Sequence, residues 1–329
     1  MYPIFSNVTP KMHAPLVSII IPAHNRALWL QETINSVLEQ TYNNFEIIIV
    51  DDASDPPLES SFNIYDPRMK IIRHTENKGP GASRETGRLA SIGAFINYLD
   101  SDDLLHPQKI EKQVKQLTDH PEVGMCYCTS LVFEDSPTTP DLPIYQTSDQ
   151  NYETIIPEIL YQRPWPTGAC LWVKSAIETI GPWSNLWIGE DIEYDVRAGC
   201  KGIRISHIPE SLCFIRKHDE DAGLTTLTVN HQIEETQYKL AISNNILHSQ
   251  FVEDVLIQNR ILQILFNQAV FLFNHQQKGL GRACLVQAKK HATDRQKVNL
   301  VNMIIFFSHL LPTKNLLKLS RFLRSQVIS

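Results

Sequence analysis

Three short acidic groups carry the chemistry most legible in this 329-residue sequence. The first is LDSDD, Leu99–Asp103, directly after the apolar run AFINYL (Ala94–Leu99). Carboxylates crowded at a strand exit are costly unless something cationic meets them. For Asp100 and Asp102 that partner reads as Mn2+ or Mg2+, hard cations that take oxygen ligands and share them with substrate phosphates. Asp103 reads as a cap for the helix that follows. The second group, Asp51-Asp52, ends the run FEIIIV (Phe45–Val50). Its oxygens suit the hydroxyls and imino groups of a nucleotide, and ordinary turn chemistry accounts for such a pair equally well. The third, Glu190-Asp191, opens a helical stretch, where acids complement the helix dipole. Between the first two lies NKGPGASRETG (Asn77–Gly87), whose glycines suit a tight turn into a helix with Arg84 facing a phosphate. It is neither a Walker loop nor GxGxxG. Trp165, Trp183 and Trp187 offer faces that stack on the C–H faces of a sugar, or that simply pack a core.

The elements that must hold these groups alternate. Leu16–Ile21, Phe45–Val50, Met69–Arg73 and Ala94–Leu99 read as strands. The helices between and after them read as Ala27–Gln40, with Leu28, Ile34, Val37 and Leu38 on one stripe, Gly81–Ile92, and Pro107–Thr118 opened by its proline. Near-continuous apolar strands at this spacing imply an α/β fold with a mostly parallel sheet. Ligands of such sheets bind beyond the carboxyl ends of the strands, which is where the aspartates lie. After Val123 the rhythm loosens: strands are expected at Val123–Cys128, Ala169–Val173 and Ile203–Ile208, a loop at Pro137–Gln150, and a helix from Asp191 to Cys200. From Val229 only helices are expected. The division this suggests is an extension at 1–14, a catalytic α/β domain at 15–224 and a helical region at 225–329.

Composition bounds the rest. Hydrophobic residues make up 43% of the chain and charged residues 20%, enough for a core and unlike a disordered, collagenous or disulfide-framework protein. The net charge of -6 argues against a nucleic-acid binder. That charge is split: residues 1–224 hold 18 Lys+Arg against 31 Asp+Glu, residues 225–329 hold 12 against 5. From Val255 onward Asp294 is the sole acid among 11 basic residues. A basic helical tail fits either a peripheral contact with an anionic membrane or packing on the catalytic domain or a second subunit. The six cysteines form no CxxC pair and read as reduced, mostly buried thiols. MYPIFSNVTPKMHAP does not have the pattern of a signal peptide, and the longest apolar candidate, Val301–Leu311, is broken by Asn302, Ser308 and His309. A cytoplasmic protein, at most peripheral at the cytoplasmic face of a membrane, is expected.

Taken in order, the motifs resemble those of the inverting GT-A-fold glycosyltransferases of family 2. The resemblance covers roughly Pro15 to His218 and rests on VSIIIPAHNR (Val17–Arg26), ETINSVLEQTYNNFEIIIVDDAS (Glu32–Ser54), Asn77–Gly87, FINYLDSDDLLHP (Phe95–Pro107), GEDIEYDVRAGCKG (Gly189–Gly202) and FIRKH (Phe214–His218). It implies a GT-A fold and a nucleotide-diphosphate sugar donor, most simply a UDP-sugar, with a saccharide or lipid-linked acceptor. Pro22, His24, Arg26 and Arg84 would line the nucleotide pocket and Asp52 would hold the base. Asp100 and Ser101 would meet the ribose side, and Asp102, with Asp100 and His218, the Mn2+ or Mg2+. The general base would be Asp191, with Glu190 in reserve. Ser83-Arg84-Glu85 stands where relatives usually carry Ala-Arg-Asn, and His24 where an aromatic is frequent. Two other readings are weighed. A sugar nucleotidyltransferase should carry a Gly-rich basic loop after the first strand, where this chain has IPAHNRALW. A catalytically degenerate nucleotide-sugar-binding protein should have lost Asp52, Asp100, Asp102 or Asp191.

Overall fold

A computed structural model describes residues 14–60, 66–134, 136–139, 141–217, 229–312, 315–316 and 318–319. Its centre is an eight-stranded sheet. The strands are β1 (Val17–Ala23), β2 (Phe45–Asp51), β3 (Met69–Arg73), β4 (Phe95–Tyr98), β5 (Leu104–Leu105), β6 (Met125–Phe133), β7 (Leu171–Val173) and β8 (Ile205–Arg216), in the spatial order β3-β2-β1-β4-β7-β6-β8-β5. The β3-β2-β1-β4 half is parallel throughout, with Ile20 opposite both Ile48 and Tyr98. Buried on both faces, β1 and β2 need the unbroken Ile/Val runs they carry. Pro22 is tolerated in the central strand because β4 ends opposite Ile20.

The second half departs from the alternating pattern. β7 runs antiparallel to both β4 and β6, whereas β6 and β8 pair parallel across a register shift near Thr129. Two buried amides fix the turn that feeds β7. Asn97 Nδ2 donates to the carbonyls of Gly168 and Cys170 at 3.0 and 2.7 Å, and Gln113 Nε2 to those of Cys126 and Ala169 at 3.0 and 2.7 Å. β6 and β8 are longer than the apolar runs VGMCYC and Ile203–Ile208 suggest, because pairing carries both strands past their buried ends.

Helices α1 (Ala27–Leu38), α2 (Pro80–Ala90), α3 (Lys109–Asp119), α4 (Lys174–Ile180) and α5 (Glu190–Cys200) accompany the sheet. In α1 the buried stripe is Leu30, Thr33, Ile34 and Val37, with Leu28 exposed, so the apolar face is rotated from the expected one. α3 begins at Lys109, after Pro107, with Gln108 at its cap. Asp103 is therefore not a helix cap. Its Oδ1 accepts the backbone N–H of Arg216, at 3.0 Å, across the sheet.

Among the described residues, helices α6 (Val229–Leu247), α7 (Val255–Asn274), α8 (Lys278–Lys289) and α9 (Arg295–Leu310) follow. Asp254 caps α7 by accepting from Leu256 and Ile257, and Asp294 caps α9 by accepting from Lys297. The one acid of the basic stretch is thus spent on a helix start. α7, at 20 residues, is by length and composition alone apolar enough to cross a membrane, and is longer than the expected Val301–Leu311 run. Half of its apolar window is buried inside the molecule, with Ile261, Leu262, Leu265, Phe266 and Leu272 fully covered. All six cysteines are free, and all but the partly covered Cys200 are buried.

Candidate active site

The carboxyl ends of β1, β2 and β4, the start of α2 and the start of α5 meet at one edge of the sheet. At the tip of β2, Asp51 accepts the N–H groups of Ser54 at 2.9 Å and Leu58 at 3.2 Å, and pairs with Arg73. Burial raises its pKa, but these amides and the guanidinium outweigh that and hold the carboxyl below the usual range. Asp52 Oδ1 accepts from Lys78 N at 2.9 Å and from His74 Nδ1 at 2.7 Å, and Oδ2 accepts from Gly79 N at 2.8 Å. His74 Nε2 in turn accepts from the Thr86 hydroxyl at 2.9 Å. Asp52 therefore holds the turn into α2, at Gly79, whose φ of 86° suits glycine. His24 Nδ1 donates to the carbonyl of Asp52 at 2.7 Å and its Nε2 accepts from Asn25 Nδ2 at 3.0 Å, clipping the tips of β1 and β2 together.

The acids at the tip of β4 are met by arginine side chains instead. Asp102 Oδ2 pairs with Arg26 at 2.6 Å, and Asp100 Oδ1 with Arg84 at 2.7 Å. Arg84 also reaches Glu190 Oε1 at 2.6 Å, so one buried guanidinium joins β4 to the start of α5. Burial lowers the pKa of Arg84, but Asp100, Glu190 and Asp191 more than offset this and keep it charged. Its Nε has no hydrogen-bond partner, while the guanidinium carbon lies 5.0 Å from the centroid of the Trp183 ring. Ser101 is buried between the two aspartates, and Arg216 Nε donates to the Asp102 carbonyl at 3.1 Å.

Asp191 stands in the first turn of α5. Its Oδ2 pairs with Arg163 NH1 at 2.7 Å and its Oδ1 accepts the Ile192 N–H at 2.8 Å. Arg163 Nε also binds Asp195 Oδ2 at 2.9 Å, to which Trp165 Nε1 donates at 3.1 Å. Burial pushes the Asp191 carboxyl up, but Arg163 and Arg84 pull it below the usual range. Its neighbour Glu190 goes the other way, raised by burial and by the Asp191 charge against the pull of Arg84.

The donor set at Asp100 and Asp102 suits a hard cation. Asp103 behind them is raised by burial and by the charges of Asp102 and Asp100, a sign of surplus negative charge. The Asp100 and Asp102 side chains are 36% and 13% exposed, so Asp100 is the more open of the two. Among the described residues no three His, Cys, Asp or Glu side chains form a ready cage. Two carboxylates that leave further positions to phosphate oxygens match the usual habit of Mg2+.

Of the three tryptophans expected on the acceptor side, two are core. Trp165 lies against Tyr127 with ring centroids 4.6 Å apart, and Trp183 stacks on Tyr194 at 4.1 Å, both buried. Their faces are not open to a sugar. Trp187 is 49% exposed and lies over Gly79, where an added Cβ would meet its ring at 3.2 Å. His218 lies outside the described residues. Arg163, Asp195 and His74 escape a reading by motif. Arg163 could have been singled out as the one cation between Lys115 and Lys174.

Residues 18–177 match the family model described as Glycosyl transferase family 2. An uncharacterized glycosyltransferase of Rickettsia felis is 45% identical over 106 residues, 32% of this chain and 17% of its own length. One of Haemophilus influenzae is 42% identical over 106 residues, 31% of this chain and 42% of its own length. The chain thus spans less than half the length of these curated relatives. A crystal structure of S. aureus TarS in complex with UDP-GlcNAc is similar with a TM-score of 0.68 at 15% identity, covering 94% of this chain and 92% of that one. A second TarS structure, in complex with UDP, has a TM-score of 0.66 at 15% identity, covering 94% and 91%. The shared architecture is the GT-A fold.

Proposed function

We propose, from the match of residues 18–177 to the family model described as Glycosyl transferase family 2, that the chain transfers a sugar from a nucleotide-diphosphate donor to an acceptor hydroxyl, inverting the anomeric carbon. The observation that carries this reading is the line of alternating charges Asp100–Arg84–Glu190, with Asp191–Arg163–Asp195 beside it. It sets an ionised carboxylate, Asp191, across from the acidic tip of β4.

In the step inferred, the acceptor oxygen attacks the anomeric carbon while the bond from that carbon to the diphosphate oxygen breaks. The electron pair leaves with the diphosphate, and the hydroxyl proton goes to Asp191. A base must be deprotonated before it can act. Asp191, depressed by Arg163, meets that condition better than Glu190, whose pKa is raised. Glu190 and Arg84 then serve to fix the distance between Asp100 and the start of α5.

Asp102 and Asp100 would hold Mn2+ or Mg2+, which would neutralise the charge gathering on the departing diphosphate. On the base side, Asp52 already accepts three hydrogen bonds, two on Oδ1 and one on Oδ2. A carboxylate offers about four lone-pair sites, so it can take one more donor. A uracil imino N–H is a single donor of that kind, and the UDP and UDP-GlcNAc complexes of the TarS neighbour support the same choice. The acceptor inferred is a saccharide or lipid-linked hydroxyl.

A thermal-shift screen of UDP, GDP, dTDP and CMP sugars with and without Mn2+ tests the reading. Binding to the native state raises the melting temperature by linkage. A UDP-sugar is expected to stabilise the chain, more so with Mn2+. Failure of all four classes to shift it would remove the donor assignment.

A further inference from the structure

Nothing in the chemistry just described uses the C-terminal helices, yet α6 reaches the residue before the acidic pair. Gly189 caps α5 in the left-handed region, with φ of 69°, and supplies no side-chain hydrogen bond to the helix start. The ring of Tyr238, from α6, closes over it so tightly that a Cβ on Gly189 would run into the ring carbons. Asp191 follows two residues later. Further along α5, Asn245 Nδ2 donates to Glu193 Oε1 at 2.9 Å. Glu193 is held from its own helix by Arg197, through Nε at 3.0 Å and NH2 at 2.9 Å. Arg197 in turn donates to the carbonyls of Ile180 and Pro182 at 3.2 and 2.6 Å.

The start of α5 is thus gripped at two places by α6, once through a ring and once through an amide. Such a grip has work to do. Glycine is the residue with the most backbone freedom, so a glycine cap lacking a side-chain bond leaves the direction of the first turn loosely set. A base displaced by about 1 Å can cost on the order of 100-fold in rate. We propose that α6 is a working part of the catalytic site, in which Tyr238 is a positioning residue that seats Gly189 and so aims the Asp191 carboxylate. The inference rests on the assignment of Asp191 as the base. It gives the basic C-terminal region a task inside the enzyme.

The test uses the full chain with Mn2+ and UDP-GlcNAc as the probe, reading release of UDP with water as the acceptor. If the thermal-shift screen selects another donor, that donor replaces the probe. Wild type, Tyr238→Ala, Tyr238→Phe, Gly189→Ala and the Tyr238→Ala/Gly189→Ala double variant are compared. Tyr238→Ala should lower kcat at least tenfold and leave KM for the donor within twofold. Tyr238→Phe should restore turnover, because the contact is made by the ring. Gly189→Ala should cost less in the Tyr238→Ala background than alone, since the ring it strikes is gone. Turnover of Tyr238→Ala within twofold of wild type, equal losses in kcat and donor affinity, or an additive cycle would each overturn the inference. Should Tyr238→Ala fail to fold by circular dichroism, Tyr238→Leu takes its place under the same criteria. A wild-type chain that releases nucleotide from none of the four donor classes overturns the proposed function itself, whereas an active wild type matched by Tyr238→Ala overturns only the role of α6.

Discussion

Two acidic pairs end neighbouring parts of one sheet and look alike in sequence, yet they are met by different kinds of partner. At the tip of β2 the carboxylates of Asp51 and Asp52 accept chiefly from the backbone N–H groups of Ser54, Leu58, Lys78 and Gly79, with Arg73 and His74 added from the side. At the tip of β4, Asp100 and Asp102 face side chains instead, the buried Arg84 and the part-exposed Arg26. A backbone amide cannot move away without unmaking the turn it belongs to. A guanidinium can swing from a carboxylate to a diphosphate, and Arg26 is partly exposed at its end. The lesson is that a DD at a strand tip is rigid or adjustable according to what donates to it. The start of α5 belongs with the second kind, since Glu190 and Asp191 are also met by arginines.

The largest effect is expected at the arginine-matched end. Asp191→Asn should reduce transfer by about 1,000-fold, the usual range for loss of a general base, while donor-induced thermal stabilisation is retained. Full turnover in that variant would remove Asp191 from the mechanism. Next come Asp52→Ala and Asp102→Ala as a matched pair. Asp52→Ala removes the acceptor shared by His74 Nδ1, Lys78 N and Gly79 N and should destabilise the fold by about 3 kcal/mol in urea titration, with a charge-assisted bond worth roughly 1.5–3 kcal/mol. Asp102→Ala should leave the urea midpoint nearly unchanged and abolish the Mn2+-dependent part of the donor shift. The reverse result would erase the distinction between the two tips. The smallest effect is on pH. Arg163 holds the Asp191 carboxyl down, so Arg163→Met should let it keep its proton to higher pH. The acidic limb of kcat should then rise by about 1 pH unit, the lower end for loss of an adjacent opposite charge. An unmoved limb would mean that Asp191 does not set it.

The parallel half of the sheet is legible in the chain because both faces of β1 and β2 are buried and only Val/Ile-rich runs satisfy that. β7 is not legible as an antiparallel strand: Leu171–Val173 is apolar in the same way whichever direction it runs. The acids of the site announce themselves through their crowding. Their partners do not, because Arg84 and Glu190 are 106 positions apart, and Arg163 and Asp191 are 28 apart, joined only by the fold. Trp165 and Trp183 show the opposite error, since aromatic content alone does not tell a covered face from an open one.

The placement of Tyr238 bears on how the chain comes into being. A chain emerging from the ribosome makes β1 to β4 first, and with them Asp52, Arg84, Asp100 and Asp102. Gly189 follows much later, and Tyr238 later still. On the proposed roles, the seat for Asp191 is supplied only after the whole donor edge has been made. In a truncated or half-synthesised product the groups that would hold an activated sugar precede the one that aims its transfer. On those roles, the order of the chain delays completion of the site until α6 has arrived.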